Sequence, residues 1–191
     1  TIGDLEGNAQ RIADAVRMAT RAGADLCLTP EMSLTGYPPR DLLLNAGFVS
    51  RALEVAGSLA RDLSDYAPVL VGLPETNPAA EGRPLFNASV LMRRGRLDAW
   101  FRKTLLPTYD VFDEDRYFEP AGERRPLQLA GRRVGVTVCE DIWPGPEGGR
   151  RYNVDPIADL AGQGIDLLVN LSASPFHAGK GREREELVRQ V

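Results

Sequence analysis

The sequence predicts an α/β fold that mixes parallel and antiparallel strands. In the first and last thirds of the chain, short apolar runs alternate with segments that repeat apolar residues at helical spacing. Between them, two strand-like runs are joined by Arg94-Gly95-Arg96, a turn typical of a hairpin. The chain has 191 residues, 43% of them hydrophobic, which is enough for one domain with a sizeable core.

The first half of the chain begins with a helix that Asp4 can cap and that ends before Gly23. A short buried strand is predicted next, and Pro30 ends it because proline cannot donate a hydrogen bond to a sheet. A loop containing Pro38-Pro39 leads from this strand to a second helix. The predicted ranges are 24–29 for the strand, 31–39 for the loop, 48–63 for the helix, and 69–73, 87–92 and 97–101 for the three strands that follow.

The second half contains a long loop over residues 103–120, rich in acidic and aromatic residues. Loops of this length are usually functional or disordered, and the aromatic residues favour an ordered, functional loop. The remaining predicted elements are a strand over 134–138, a helix over 155–161, a strand over 166–171, a loop over 172–181 and a charged helical segment over 182–190.

Composition excludes several classes of function. The net charge is −4 and the basic pairs are scattered among acidic residues, so no nucleic-acid surface is expected. The sequence has no apolar run approaching the ~20 residues of a membrane span, and no signal peptide is recognisable. With two cysteines and one histidine, we expect free thiols in a reducing, cytoplasmic compartment and no metal site.

Three chemically active side chains follow predicted strands. Glu31 comes after the first strand, Lys103 after the strand over residues 97–101, and Cys139 after the strand over residues 134–138. In open α/β sheets, functional groups gather beyond the carboxyl ends of strands, so these side chains can meet at one edge. A carboxylate, an ammonium and a thiol together form a possible nucleophilic site.

The chemistry explains why all three groups would be needed. A thiol has a pKa near ~8.5 and a carboxyl near ~4.3, so moving the proton from Cys139 to Glu31 costs about 6 kcal/mol in water. Burial of the carboxyl and a neighbouring ammonium both reduce that cost. Lys103 and the backbone N–H of Glu140 could also stabilise an oxyanion. Spacing alone leaves open the alternative of a surface lysine, a capping glutamate and a buried cysteine.

Four segments closely resemble the glutaminase domain of glutamine-dependent NAD synthetases, within the nitrilase or carbon–nitrogen hydrolase superfamily. They are PEMSLTGYPPRDLL (30–43), KTLLPTYDVFDEDRYFEP (103–120), VCEDIWP (138–144) and NLSASPFHAGK (170–180). The resemblance implies a nitrilase-like α-β-β-α sandwich with mixed sheets. It also implies a Glu-Lys-Cys triad in which Glu31 is the general base, Cys139 the nucleophile and Lys103 the oxyanion stabiliser.

The same resemblance implies which residues bind the substrate. Tyr109 matches a tyrosine that contacts glutamine, and Ser174 and Lys180 match residues that hold the amino-acid end of glutamine or line its pocket. The substrate would be L-glutamine, hydrolysed through a thioester on Cys139 to glutamate and ammonia.

The resemblance also implies partners outside these residues. The ammonia would pass to an ATP-dependent synthetase domain of the same parent chain, which would bind ATP and Mg and make NAD. No phosphate-binding loop of that domain occurs in residues 1–191, so no cofactor is expected in this segment. Residues 1–191 are expected to be a partial carbon–nitrogen hydrolase domain, truncated at both ends, in a protein that forms homo-oligomers.

Three alternatives stay open at this point. The first is a stand-alone nitrilase-type amidase that acts on a different amide. The second is a non-catalytic α/β binding domain in which Cys139 is a core residue. The third is a Cys-His hydrolase that uses His177, the only histidine in the sequence.

Overall fold

The structure, a computed structural model, contains two β-sheets that pack face to face with helices outside them. It describes residues 1–109, 112–143, 152–175 and 177–190, with the side chain of Gln190 left out. The strands are β1 (Cys27–Leu28), β2 (Val69–Thr76), β3 (Leu85–Arg93), β4 (Arg96–Arg102), β5 (Leu127–Leu129), β6 (Arg132–Val138) and β7 (Leu167–Leu171). The helices are α1 (Leu5–Arg21), α2 (Ala46–Asp62), α3 (Pro156–Gly162) and α4 (Lys180–Gln190).

Both sheets are mixed. The first has the strand order β1-β2-β3-β4, with β1 parallel to β2 and the other neighbours antiparallel. The second has the order β5-β6-β7, with β5 antiparallel and β7 parallel to β6. Parallel neighbours need a crossover connection, and α2 and α3 lie in the two segments that make these crossovers.

Helices α1 and α2 cover the outer face of the first sheet. Asp4 caps α1 by accepting a hydrogen bond from the backbone N–H of Gly7. The apolar side of each helix packs against alternate side chains of β2 and β3 in one buried cluster. That cluster includes Leu5, Ile12, Val16, Ala52, Ala56, Leu59, Val69, Val71, Leu73 and Val90.

The two sheets meet through a second cluster that takes Leu70 and Leu91 from the first sheet and Val134, Val136 and Leu171 from the second. On the outer face of the second sheet, a Cβ added at Gly135 would approach side chains of Ile165, Leu168 and Leu160, which places α3 there. The layers are therefore helix, sheet, sheet and helix, as predicted. Within the described ranges, no helix combines the length and apolar character needed to cross a membrane.

The observed elements differ from the predicted ones mainly at short segments. The strand predicted over residues 24–29 forms sheet pairs only at Cys27–Leu28. A 3-10 helix at Arg40–Leu44 and the three-residue strand β5 were not predicted, because such short elements carry no readable periodicity. Of the four segments that carry the family resemblance, residues 110, 111, 144 and 176 lie outside the described part.

Candidate active site

The three predicted side chains meet beyond the ends of their strands, between the two sheets. Glu31 lies three residues after β1, while Lys103 and Cys139 directly follow β4 and β6. All three are buried, with exposed fractions of 1%, 0% and 6% respectively. Glycine on β2 permits this arrangement: a Cβ at Gly72 would lie 2.4 Å from the backbone N of Met32, so only glycine lets the segment carrying Glu31 cross so closely.

Lys103 binds two carboxylates. Its Nζ lies 2.9 Å from Oε1 of Glu31, and 2.9 and 2.8 Å from Oε1 and Oε2 of Glu114. Glu114 was not among the predicted site residues, although it lies in the long acidic and aromatic loop after Lys103. Nothing in the spacing of that loop shows which of its acidic side chains turns inward.

In this cluster the ammonium and the two carboxyl groups shift each other's pKa values. Burial by itself would lower the pKa of Lys103, but the negative charges of Glu31 and Glu114 raise it well above its usual value. Burial raises the pKa of Glu114, and the positive charge of Lys103 opposes part of that rise. Lys103 is thus a permanent ammonium, held where a developing oxyanion could use it.

Cys139 is a protonated thiol with a carboxylate beside it. Burial, followed by the charge of Glu31, raises the pKa of Cys139 to about 12, and the charge of Lys103 opposes this. The carboxylate of Glu31 is thus near enough to this thiol to act on its proton. The residue also has a φ of 43°, in the left-handed region that costs a non-glycine residue roughly 1–2 kcal/mol. This strained turn changes the chain abruptly from β6 into the 3-10 helix Cys139–Ile142.

Asp141 ties the cysteine turn to the lysine loop. Its Oδ2 accepts the backbone N–H of Val138 at 3.0 Å. Its Oδ1 accepts the backbone N–H groups of Thr104 and Leu105, each at 2.9 Å. One buried carboxylate therefore holds the residue before Cys139 and the two residues after Lys103. This role was not predicted, since a carboxylate near a strand end can equally be solvated.

Glu140 presents both its backbone and its side chain to this region. Its N–H belongs to the first turn of the 3-10 helix, where donors have no acceptor within the helix. Its carboxylate accepts hydrogen bonds from the hydroxyls of Tyr109 and Tyr152, each at 3.0 Å. Burial and the nearby charge of Glu140 raise the pKa of Tyr109, so that hydroxyl stays protonated and donates. Tyr109, a predicted substrate contact, thus lies beside Cys139.

Ser174 and Lys180, the other predicted substrate contacts, lie further along the chain from the cluster. The backbone N–H of Ala173 donates to Oε2 of Glu31 at 3.3 Å, which brings Ser174 next to the site. Oγ of Ser174 accepts a hydrogen bond from Arg184 at 2.8 Å. Lys180 begins α4, and within the described residues no hydrogen bond or ion pair joins its side chain to the cluster.

His177 does not belong to the cluster. Its side chain is about half exposed, with Nε2 lying 3.4 Å from Oε2 of Glu183. Across the described ranges, no group of three or more His, Cys, Asp or Glu side chains is arranged to hold a metal ion. The buried cluster therefore offers nucleophilic and acid–base chemistry from Glu31, Lys103 and Cys139, with no imidazole in contact.

Comparisons with known proteins show which proteins this chain resembles. The glutamine-dependent NAD(+) synthetase of Synechocystis sp. is 45% identical over 193 residues, which cover 98% of this chain and 35% of that protein. The solved structure of the glutamine-dependent NAD+ synthetase from Acinetobacter baumannii has a TM-score of 0.84 and 28% identity, covering 99% of this chain and 33% of the other. The chain thus spans about a third of the length of these relatives.

A smaller enzyme is also similar in structure. An amidase of the nitrilase superfamily from Nesterenkonia AN1 has a TM-score of 0.74 and 25% identity, covering 99% of this chain and 66% of the amidase. In another structure of that amidase, the acetamide moiety of fluoroacetamide is covalently added at the active-site cysteine. The family model for carbon–nitrogen hydrolases matches residues 1–191. The chain belongs to the carbon–nitrogen hydrolase family.

Proposed function

We propose that this chain hydrolyses the side-chain amide of L-glutamine and supplies the ammonia to NAD synthesis in its parent protein. The observation that carries the proposal is the buried contact of Lys103 with Glu31, beside the thiol of Cys139. The glutamine-dependent NAD synthetases that resemble the chain supply the choice of glutamine as the amide.

The first step is attack of the Cys139 sulfur on the amide carbon. Because the pKa of Cys139 is raised to about 12, the thiol gives up its proton only as the new S–C bond forms. Glu31, whose charge acts on that thiol, takes the proton as general base. The carbonyl oxygen becomes an oxyanion, which Lys103 and the backbone N–H of Glu140 stabilise.

The second step releases ammonia. Glu31 returns its proton to the amide nitrogen as the C–N bond breaks, which leaves a thioester on Cys139. Water then attacks the thioester with Glu31 again acting as general base, and glutamate leaves with the sulfur reprotonated. Glu31 gains and loses one proton in each half-reaction, so no histidine is required.

The amino-acid end of glutamine needs complementary charges. The carboxylate of Glu140, which is held by Tyr109 and Tyr152, is a partner for the α-ammonium group. Ser174, together with the guanidinium that donates to it, and Lys180 are partners for the α-carboxylate. A neutral amide lacking these groups would lose both interactions.

The rest of the proposal concerns the parent protein. Residues 1–191 form part of its carbon–nitrogen hydrolase domain, and an ATP- and Mg-dependent synthetase domain elsewhere in the parent chain consumes the ammonia. The protein works in the cytoplasm as a homo-oligomer. The relatives' greater length supports a further domain in this sense.

The experiment compares Cys139→Ala and wild type in the full-length protein. Wild type should release glutamate from glutamine and make NAD with either glutamine or ammonium chloride as nitrogen source. Cys139→Ala should lose glutamine-dependent turnover by more than about 10³-fold and keep ammonia-dependent synthesis. Cys27→Ala serves as the matched control, since Cys27 is the other cysteine and lies on β1.

The outcomes separate the candidate functions. Retention of glutaminase activity by Cys139→Ala would refute the proposal. Hydrolysis of acetamide or propionamide by wild type, with no hydrolysis of glutamine, would instead assign the chain to the stand-alone amidases that its fold also resembles.

A further inference from the structure

Asn87 lies at the centre of the buried cluster on strand β3. Its side chain is fully buried, with an exposed fraction of 0%. Its Nδ2 lies 2.7 Å from Oε1 of Glu31 and 3.2 Å from Oε2 of Glu114. Its backbone carbonyl also accepts the N–H of Lys103 at 2.8 Å. One residue therefore contacts both carboxylates and the backbone of the lysine between them.

The orientation of the Asn87 amide is set by chemistry. Only the NH₂ end can face two ionised carboxylates, because its carbonyl oxygen would repel both. That orientation leaves Oδ1 of Asn87 buried without a hydrogen-bond partner among the described residues. Leaving Oδ1 buried and unpaired costs free energy, and the two hydrogen bonds from Nδ2 to the carboxylates offset that cost.

From this geometry we propose that Asn87 is a positioning residue, whose amide joins Glu31 to Glu114 and keeps Glu31 aimed at Cys139. The proposal rests on the role of Glu31 as the base for Cys139. Asn87 itself touches neither the sulfur nor, in this proposal, the substrate. It acts by donating one N–H to each carboxylate, which favours their charged forms.

The sequence contains a matched control two residues away. Ser89 lies on the same face of β3, is fully buried, and has no hydrogen-bond partner for Oγ among the described residues. Unlike Asn87, it forms no hydrogen bond to either carboxylate. Ser89→Ala thus removes a buried polar atom from this strand without breaking the link between Glu31 and Glu114.

The experiment measures the reactivity of Cys139 from pH 5 to pH 9 in the full-length protein. The probe is iodoacetamide, a small neutral reagent, and the rate is read by mass spectrometry of the peptide that contains Cys139. The variants are Asn87→Leu, which has a similar shape and no donor, Asn87→Asp, which has the same shape, and Ser89→Ala. Where wild type hydrolyses glutamine, the pH profile of kcat/KM is measured in parallel.

We expect Asn87→Leu to slow alkylation by about 10-fold or more and to move the acidic limb of its pH profile upward, since the two carboxyl groups then lose a shared hydrogen-bond donor. Asn87→Asp should move that limb at least as far, because it places a third acidic group beside the other two. Ser89→Ala should stay within twofold of wild type, with no shift of the limb.

Three results would overturn the proposal. The first is a folded Asn87→Leu or Asn87→Asp variant with the wild-type pH profile. The second is a rate loss without a shift of the acidic limb, which would indicate a purely structural role. The third is failure of both Asn87 variants to fold while Ser89→Ala folds. Because alkylation needs no glutamine, loss of the proposed glutaminase function would leave this test intact and would be seen separately in the substrate assay.

Discussion

Replacing Asp141 should uncouple the cysteine turn from the lysine loop. Its carboxylate accepts three backbone N–H groups, from Val138 at 3.0 Å and from Thr104 and Leu105 at 2.9 Å each. Leaving a buried donor unpaired costs about 1–3 kcal/mol. Asp141→Ala leaves three buried N–H donors unpaired, which should lower the free energy of unfolding by at least about 3 kcal/mol. That is a large part of the ~5–15 kcal/mol that stabilises a domain.

Asp141→Asn separates the hydrogen bonds from the size of the side chain. Its amide oxygen can still accept from Thr104 and Leu105, but its NH₂ group then faces the N–H of Val138. One donor is left unpaired instead of three, so the expected loss in free energy of unfolding is about 1–3 kcal/mol. The order of stability should be wild type, then Asn, then Ala, with about 2 kcal/mol between the two variants.

The assay combines urea unfolding of the full-length protein with the alkylation rate of Cys139. We expect both variants to displace Cys139 relative to Lys103, and to lower that rate by about 10² or more for each ångström of this displacement. Asp155→Ala is the control: Asp155 also accepts two backbone N–H groups, from Ile157 and Ala158, but at the exposed start of α3. It should cost about 1 kcal/mol and leave the rate unchanged. Equal stability of the Asn and Ala variants, or an unchanged rate in both, would refute the reasoning.

Three further predictions concern the same site. Gly72→Ala should lower kcat of the proposed glutaminase reaction by about 10² and reduce thermal stability, because its Cβ meets the backbone of Met32. Gly57→Ala on α2, where the nearest atom to the added Cβ lies at 3.7 Å, should instead be neutral or stabilising, and equal effects of the two substitutions would contradict the steric argument. Lys103→Met should cost about 3–5 kcal/mol in urea unfolding, because it leaves two buried carboxylates without their ammonium, and an unchanged midpoint would count against that ion pair. Burial raises the pKa of Asp141 to about 6, so the proton-linked part of its contribution to stability, which adds to that of its three backbone hydrogen bonds, is present below about pH 4 and is lost as pH rises toward 6, by up to about 3 kcal/mol. Asp141→Asn should therefore flatten the pH dependence of unfolding between pH 4 and pH 6, and an unchanged slope would contradict this.

Much of the fold was readable from the sequence because its main strands are long apolar runs with clear ends. Strands β2, β3 and β6 were predicted close to their observed bounds, and the turn at Arg94-Gly95-Arg96 does join β3 to β4. Strand β5 was missed, since three residues carry no periodicity and its pairing depends on β6. Strand β1 shows the opposite error: of the strand predicted over residues 24–29, only Cys27–Leu28 pairs with β2.

The sequence predicted those residues of the candidate site whose reactive side chains follow the ends of strands. Glu31, Lys103 and Cys139 follow β1, β4 and β6, and the structure brings them together. The supporting residues were not readable in this way. Glu114 is one acid among several in a long loop, and only the fold turns it inward. The signal for Asn87 was present but unused: a side-chain amide with two N–H donors in the apolar run LFNASVLM is expected to find buried acceptors.

In the proposed mechanism, the second carboxylate explains how this site works without imidazole. At rest, Glu31 and Glu114 place two negative charges around the single positive charge of Lys103, so the cluster carries an excess negative charge. In that mechanism, the excess charge moves from the carboxylate pair to the sulfur when Glu31 takes the proton of Cys139, and then to the carbonyl oxygen of the amide. The total charge near Lys103 stays constant, and repulsion between the two carboxylates is relieved as the S–C bond forms. A thiol whose pKa is raised to about 12 can thus be activated by transferring a charge that the site already holds, without creating a new one.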